Sequence, residues 1–511
     1  MADASAAVGR PATTQGMRLR TQLADPERFV IASELVTSRG LISQQRGARV
    51  LSLARELAAH PRIDVLSITD NPGGHAMLSP DTLGTDLISR GQEVIVHLSC
   101  KDWNRNALES RAWKLGSEGF ENVLALSGDY PVSGYKGTAA PVFDVDSVGL
   151  LRMLSDLNEG VGIDPSLGRT SFLLGCVVTN HKRYEREVVP QLLKLRKKVE
   201  NGARFVINQI GYDARKDDEL LRWMRLNGLG EIPVLANVYL LTPRVAEVFN
   251  AQRIPGVVVT DELLELARTK ERRFFLELAA KQVAIARGLG YRGAYLGGHM
   301  SVAEYDEILE LADSFADGDW RAFAREIQFA FPDEWYFFEQ DPETGLATDT
   351  PAGLGKGRAP LRYRFSRRLH TLAFEPDAPL HGAGCALYGA VDGKPRIGKA
   401  LHLLEQAVKV PTFGCKDCGD CSLPDIAYLC PESQCVKNQR NGPCGGTRQG
   451  KCEIGEKDCI WALAYDRLKV YGEQERMLDG PVVVKDNQLR GTSAWANTFL
   501  GRDHNATRED G

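Results

Sequence analysis

Short apolar runs alternate with longer stretches of helical period from Met17 to about residue 315. The runs are FVIASEL, VLSIT, VIVHLSC, NVLALSGD, SFLLGCVV, RFVINQI, PVLANVYL, GVVVT and AYLGG. Continuous apolar runs of this length read as parallel strands buried on both faces. Between them, Arg183 to Glu200 places Val188, Leu192, Leu195 and Val199 at helical spacing, with Lys194, Arg196, Lys197 and Lys198 filling much of the rest, which predicts a helix with one buried stripe. Asn201-Gly202 ends it, and Ser301 with Glu304 three residues on predicts a capping box. About eight βα units in roughly 300 residues favour an α/β fold of the (β/α)8 TIM-barrel type over an open doubly wound sheet.

The pattern then changes. Residues 1–16 are small, polar and aperiodic and are expected to be a disordered tail; 17–316 form the barrel; 317–404 are a connecting region; 405–511 form a smaller cysteine-rich, metal-binding C-terminal domain. In the connecting region GLGKG lacks the GxxxxGK[ST] spacing of a phosphate loop and reads as a turn, while LRYRFSRR reads as a solvated helix face. The TSAWANTFLGRDH segment near the C-terminus is expected to be a strand or loop docked on the barrel.

Composition narrows the class of protein. The 511 residues carry 63 Lys plus Arg against 67 Asp plus Glu, a formal charge of −4, so no phosphate backbone is expected as a partner. No apolar run has the length of a membrane span, and MADASAAVGRPATTQG lacks the layout of a signal peptide; a cytoplasmic protein is expected. Cys100, Cys176 and Cys385 stand alone, but Cys415, Cys418, Cys421, Cys430, Cys435, Cys444, Cys452 and Cys459 cluster, and in a reducing compartment such a cluster means metal before disulfides. CxxCxxC followed by Cys430-Pro431 suits iron–sulfur ligation, with 4Fe–4S favoured and tetrahedral zinc as the alternative. Eight cysteines can form two sites of four, and spacing alone does not divide them.

In a barrel the chemistry lies at the C-terminal ends of the strands. The polar residues that close the runs are Glu34, Thr69 and Asp70, His97 to Asp102, Asp129, Asn180 and His181, and Gln209. Each alone is explained by a cap or turn, but together they predict a pocket. HExxH, GxSxG and GxGxxG motifs are all absent, which leaves acid–base chemistry on an organic substrate or cofactor.

HLSCKDWNRNALESRAWKLGSEGFENVLALSGDYP resembles the HLTC…RN…G..NVLAL.GD block of methylenetetrahydrofolate reductases. ASELV, SIT, PVFDVDSV and LLKLRKKVENGARFVINQIGYD extend the resemblance over about residues 27–315, and NGPCGG with W..AY.R resembles the C-terminal domain that accompanies some of these enzymes. The resemblance implies a flavoprotein with FAD, or alternatively FMN, that reduces 5,10-methylenetetrahydrofolate to 5-methyltetrahydrofolate with NADH, NADPH or an electron-transfer protein as donor. It implies Glu34 as general acid, Asp129 beside flavin and pterin, Gln209 on the pterin, and Thr69, His97, His181 and Lys198 around the flavin. A homo-oligomer is expected. Asp70, Val177 and Gln191 depart from the family pattern, the last two at a flavin-stacking position and a ribityl-binding position. The alternative function is a non-redox folate-binding barrel that scaffolds a methyltransferase or electron-transfer partner.

Overall fold

The computed structural model describes residues 18–506 apart from 162, 163, 165 and 255. The disordered tail expected over 1–16 lies outside the described residues. Eight parallel strands close into a barrel in sequence order: β1 (Val30–Leu35), β2 (Val65–Ile68), β3 (Val94–Ser99), β4 (Asn122–Leu126), β5 (Leu173–Val178), β6 (Phe205–Asn208), β7 (Val234–Tyr239) and β8 (Gly293–Gly297). The seam pairs Val30 of β1 with Gly293 of β8. Eight of the nine apolar runs are therefore strands. GVVVT is the exception: it lies between the helices Pro243–Asn250 and Asp261–Thr269, pairs with no strand, and buries Val257 and Val259 in the layer outside the barrel. A buried extended segment needs only core contact to look like a strand in sequence.

Two cores follow from the two faces of each strand. Val30, Ala32, Val65, Ile95, Leu124, Leu173, Phe205, Ile207, Leu235 and Tyr295 point inward and fill the barrel, and Leu19 and Leu23 of the short helix Leu19–Ala24 join them. The opposite faces meet the helices in one continuous outer core. Gly175 of β5 is fixed by this packing, because a Cβ there would overlap the buried Phe205 ring. Gly175→Ala is expected to cost about 1–3 kcal/mol by overpacking, read as a lower urea midpoint at unchanged slope.

The predicted helix appears as Glu185–Glu200 and ends at Gly202 (φ +110°), and the capping box of Ser301 and Glu304 is present. After the barrel a two-stranded ribbon, Phe338–Gln340 with Ala347–Pro351, leans on the helix Ala214–Leu226 through the Ala347 N–H to Asp218 bond of 2.9 Å. GLGKG forms neither the expected turn nor a helix or strand, and its Gly355 N–H donates to Glu185. LRYRFSRR lies on the helix Leu361–Ala373, followed by the helices His381–Val391 and Pro395–Phe413. The 492–504 segment differs from expectation: it forms a helix, Ala494–Phe499, whose Phe499 ring packs on Phe374 and Tyr388 rather than on the barrel. Its Trp and Phe find an apolar surface on those late helices. No helix among the described residues is long and apolar enough to cross a membrane.

The cysteine-rich part is joined to the barrel by a third core. Val189 and Leu193 of Glu185–Glu200 pack with Ile460, Trp461, Ala464 and Tyr465 of the helix Ile460–Lys469. One helix thus faces the barrel with one stripe and the C-terminal domain with another.

Candidate functional site

The strand ends surround a cavity of about 250 Å³ at the barrel mouth. Glu34, Thr69, His97, Asp129, Lys198 and Gln209 all line it, so six of the seven barrel residues singled out from the sequence come together. His181 does not. Its ring is buried against Gly211, and its Nε2 faces the Asp217 carboxylate at 3.1 Å; burial alone would lower its pKa, but Asp217 outweighs that and raises it. It is placed to hold the helix Ala214–Leu226 against the strand ends rather than to touch a ligand in the mouth.

Electrostatics divide the remaining residues by role. Burial raises the Glu34 carboxyl to about 7, and no hydrogen-bond partner for it stands among the described residues. Its nearest surroundings are tight: a Cβ on Gly297 would meet Glu34 Oε2 and the Tyr239 ring. His97 pairs with the Ser67 hydroxyl at 2.8 Å, and burial lowers it to about 3, so it is neutral at physiological pH. Asp129 accepts the Gly73 N–H at 2.7 Å, which ties the β2 and β4 loops together. Thr69 Oγ1 donates to the Leu35 carbonyl at 3.4 Å. Asp70 accepts from both the N–H and the hydroxyl of Ser99; burial raises its pKa and Arg111 opposes the shift. Lys198, lowered to about 8 by burial, donates to the Val177 carbonyl at 2.6 Å.

Sequence reasoning missed the fourth wall of the cavity, which comes from the C-terminal domain. Lys437, Pro443, Cys444, Gly445 and Gly446 line the same mouth. Lys437 Nζ donates to the Gly128 carbonyl at 2.9 Å and pairs with Glu453. Lys194 donates to Gln439 Oε1 at 3.0 Å and to the Gly442 carbonyl at 3.1 Å, Gln191 to the Cys444 carbonyl at 2.7 Å, and Lys182 to the carbonyls of Gly445 and Thr447 at 2.6 and 2.5 Å. Asp146 anchors the segment from the barrel side. It caps the helix Ser147–Glu159 through Val148 and Gly149, and also accepts the N–H groups of Arg440 and Asn441 at 3.1 and 2.8 Å. Burial would raise its pKa, but Lys194 and the amide donors leave it lowered. The NGPCGG motif supplies the local signal: Gly442 sits at φ +123° with no room for a Cβ beside Lys194, and a Cβ on Gly445 would overlap the Thr179 hydroxyl.

The eight clustered cysteines are unbridged and fall into two groups. Cys415, Cys418, Cys421 and Cys430 surround one small cavity with Lys409 and Arg440. Burial pushes Cys435 up to about 12 with help from Cys444 and Cys459, and Cys444 also acts on Cys452, which defines the second group. Among the described residues no three His, Cys, Asp or Glu side chains are arranged to hold a single metal ion. Several sulfurs accept hydrogen bonds: from the Asp417 N–H to Cys415 at 3.4 Å, from Lys409 Nζ to Cys421 at 3.4 Å and from the Gln439 N–H to Cys435 at 3.5 Å.

Residues 22–272 match the family model described as methylenetetrahydrofolate reductase, and residues 395–488 match one described as methylene-tetrahydrofolate reductase C terminal. The 5,10-methylenetetrahydrofolate reductase of Salmonella typhimurium is 28% identical over 124 residues, covering 24% of this chain and 36% of that protein. Methylenetetrahydrofolate reductase 2 of Saccharomyces cerevisiae is 24% identical over 197 residues, covering 37% of this chain and 30% of that protein. The chain thus spans roughly a third of the length of these curated relatives, 36% and 30%. Among solved structures, an uncharacterized Clostridium thermocellum protein that binds two copies of 5-methyl-5,6,7,8-tetrahydrofolic acid aligns at a TM-score of 0.43 and 12% identity, covering 58% of this chain and 98% of that one.

Proposed function

The barrel of this chain, over residues 22–272, belongs to the methylenetetrahydrofolate reductase family, and from that premise we propose that the protein reduces 5,10-methylenetetrahydrofolate to 5-methyltetrahydrofolate. The observation that carries the proposal is Glu34. A carboxyl held near 7 by burial is about half protonated at neutral pH and can give its proton to the bridge nitrogen, which opens the five-membered ring to the electrophilic iminium, and a hydride from NADH or NADPH then reduces that iminium to the methyl group. Asp129, fixed by the Gly73 N–H, faces the developing cation, and Gln209 offers an amide to the pterin. Neutral His97 can orient a ligand without adding a charge that would oppose the cation.

The family generally binds FAD, and the resemblance implies Thr69, His97, His181 and Lys198 around it, with Gln191 at a ribityl-binding position. The closed mouth does not fit that group. Gln191, Lys194, Lys182 and Lys198 already donate to protein carbonyls or amides, so no phosphate finds a free cation there. At about 250 Å³ the mouth itself is also below the ~300 Å³ lower range of ordinary ligand pockets. The same closure favours a second reading, a barrel that holds methylated folate without reducing it.

For the cysteines we propose that each group of four holds a thiolate-bound metal group. Soft sulfurs, N–H donors and nearby Lys409 and Arg440 fit the donor set of an iron–sulfur cluster. A cluster is wider across its thiolates than a single zinc ion, which suits cysteines not gathered around one point. Such a group, when bound, relays single electrons. Iron with matching acid-labile sulfide in anaerobically purified protein is the expected analysis, and zinc alone would overturn the iron–sulfur assignment.

The test of function is chromatographic detection of 5-methyltetrahydrofolate after anaerobic incubation with methylenetetrahydrofolate and NADH or NADPH, beside a titration of folate binding. Product formation is expected. Folate binding without product would establish the second reading, and neither binding nor product would overturn both. Flavin bands bleached by NADH in the same sample would show that the 437–447 segment moves aside to admit FAD or FMN.

A further inference from the structure

The helices Leu361–Ala373, His381–Val391 and Pro395–Phe413 each rest one side on residues that follow them in the chain. Tyr363 packs on Tyr428 and Tyr471, Tyr388 on Phe499, and Gln406 donates to Asp417 at 2.8 Å. Their other sides face water, and they are apolar. On the first helix Leu361, Phe365, Leu369 and Leu372 recur at helical spacing and are 82%, 69%, 45% and 47% exposed. The second contains no Asp, Glu, Lys or Arg and exposes Leu387 among Gly and Ala residues. The third is reversed in polarity: Glu405 and Lys409 are buried and paired at 2.8 Å, whereas Ile397, Leu404 and Val408 are about half exposed. A helix meant to stand in water on that side would turn the ion pair outward and the aliphatic side chains inward, so the face is built to be covered.

The charges around this face narrow what can cover it. Arg362, Arg364, Arg368, Lys394, Arg396 and Lys399 are exposed and have no carboxylate partner among the described residues. Of the four acids over the same helices, Glu375 faces His370, Asp392 pairs with Arg502 and Glu405 with Lys409, which leaves Asp377 alone against six cations. The excess is local, since the whole chain has a formal charge of −4. A second copy seated on this face would set six unpaired cations against six more. Phe and Leu on one side of a helix with Arg along its flanks is instead the composition of helices that lie in a membrane interface. We propose that the outer face of these three helices binds the surface of an anionic membrane, with Phe365 and its aliphatic neighbours at the acyl boundary and the cations on lipid phosphates. The helix Pro395–Phe413 also touches the first cysteine group, through Lys409 to Cys421 at 3.4 Å, so binding brings that group to the lipid side of the molecule. The inference is independent of the folate reading above.

Co-sedimentation of the full-length protein with lipid vesicles tests this, using phosphatidylcholine alone and phosphatidylcholine mixed with phosphatidylglycerol in equal parts. Binding to the mixed vesicles should be about tenfold tighter or more, and should weaken as salt is raised. Phe365→Gln with Leu369→Gln should weaken it about tenfold. Both side chains are exposed, so this variant is expected to keep the wild-type melting temperature. Arg368→Gln with Lys399→Gln, a second exposed pair, should lower binding to the mixed vesicles and leave the weak binding to neutral ones unchanged. Equal binding to the two kinds of vesicle, or full binding by both double variants, would overturn the inference. So would failure to bind the mixed vesicles. If the protein then sedimented as a dimer that Phe365→Gln with Leu369→Gln dissolved, the face would belong to a second copy of the chain.

Discussion

Glu34→Gln is expected to bind folate as the unaltered protein does and to reduce methylenetetrahydrofolate about 10³-fold more slowly, the span of a lost general acid. The amide keeps the shape and the polarity but has no proton to give. The pH dependence follows from the same residue. Its acid form prevails below about 7, so turnover should hold at mildly acid pH and fall as pH rises through 7. A variant that kept the turnover, or a pH profile that rose through 7, would remove Glu34 from the mechanism. Stability falls with rising pH as well, over a lower window. The carboxyl rises from 4.5 to about 7 on folding, so the folded state holds a proton between those values that the unfolded state has released, and stability is lost as pH rises across that window. Above pH 7 the burial costs about 3 kcal/mol, and Glu34→Gln should recover much of it as a higher urea midpoint. A gain in stability paired with a loss of turnover is the signature of a group kept for chemistry.

The second large effect is expected at Asp146. Asp146→Ala removes a helix cap and, together with it, the acceptor for Arg440 and Asn441, leaving those N–H groups buried beside an unopposed Lys194. The cost should be about 3–5 kcal/mol, and unfolding should lose its cooperativity as the 437–447 segment lifts first. Limited proteolysis checks this: cleavage within that segment should appear well below the melting temperature of the barrel. Unfolding in a single step with an intact segment would show that Lys182, Gln191 and Lys194 hold it without Asp146.

The barrel was legible because its strands are buried on both sides, and such burial writes itself into sequence as local apolar runs. GVVVT shows the limit of that signal, since burial against helices produces the same run as burial in a sheet. The mouth residues Glu34, Asp129 and Gln209 were legible from position alone, as the polar ends of those runs. His181 satisfied the same rule, but Asp217 holds its ring away from the cavity, and nothing local to LLGCVVTNH announces a partner 36 residues on. The closing segment was hidden for a related reason. Its cysteines point to metal and its glycines to turns, whereas its place in the mouth depends on bonds such as Lys437 to Gly128, 309 positions apart.

That separation sets an order of events during synthesis. At about 5–20 residues per second, the residues from the end of β8 at Gly297 to Lys437 are added over roughly 7 to 28 s, time for the strands to close into a barrel whose mouth is still open. Anything too large for the closed mouth has its easiest entry in that interval. The ribosome thus leaves a nascent barrel exposed until the last seventh of the chain begins to arrive and shut it, and a chain stopped before residue 437 would remain an open barrel.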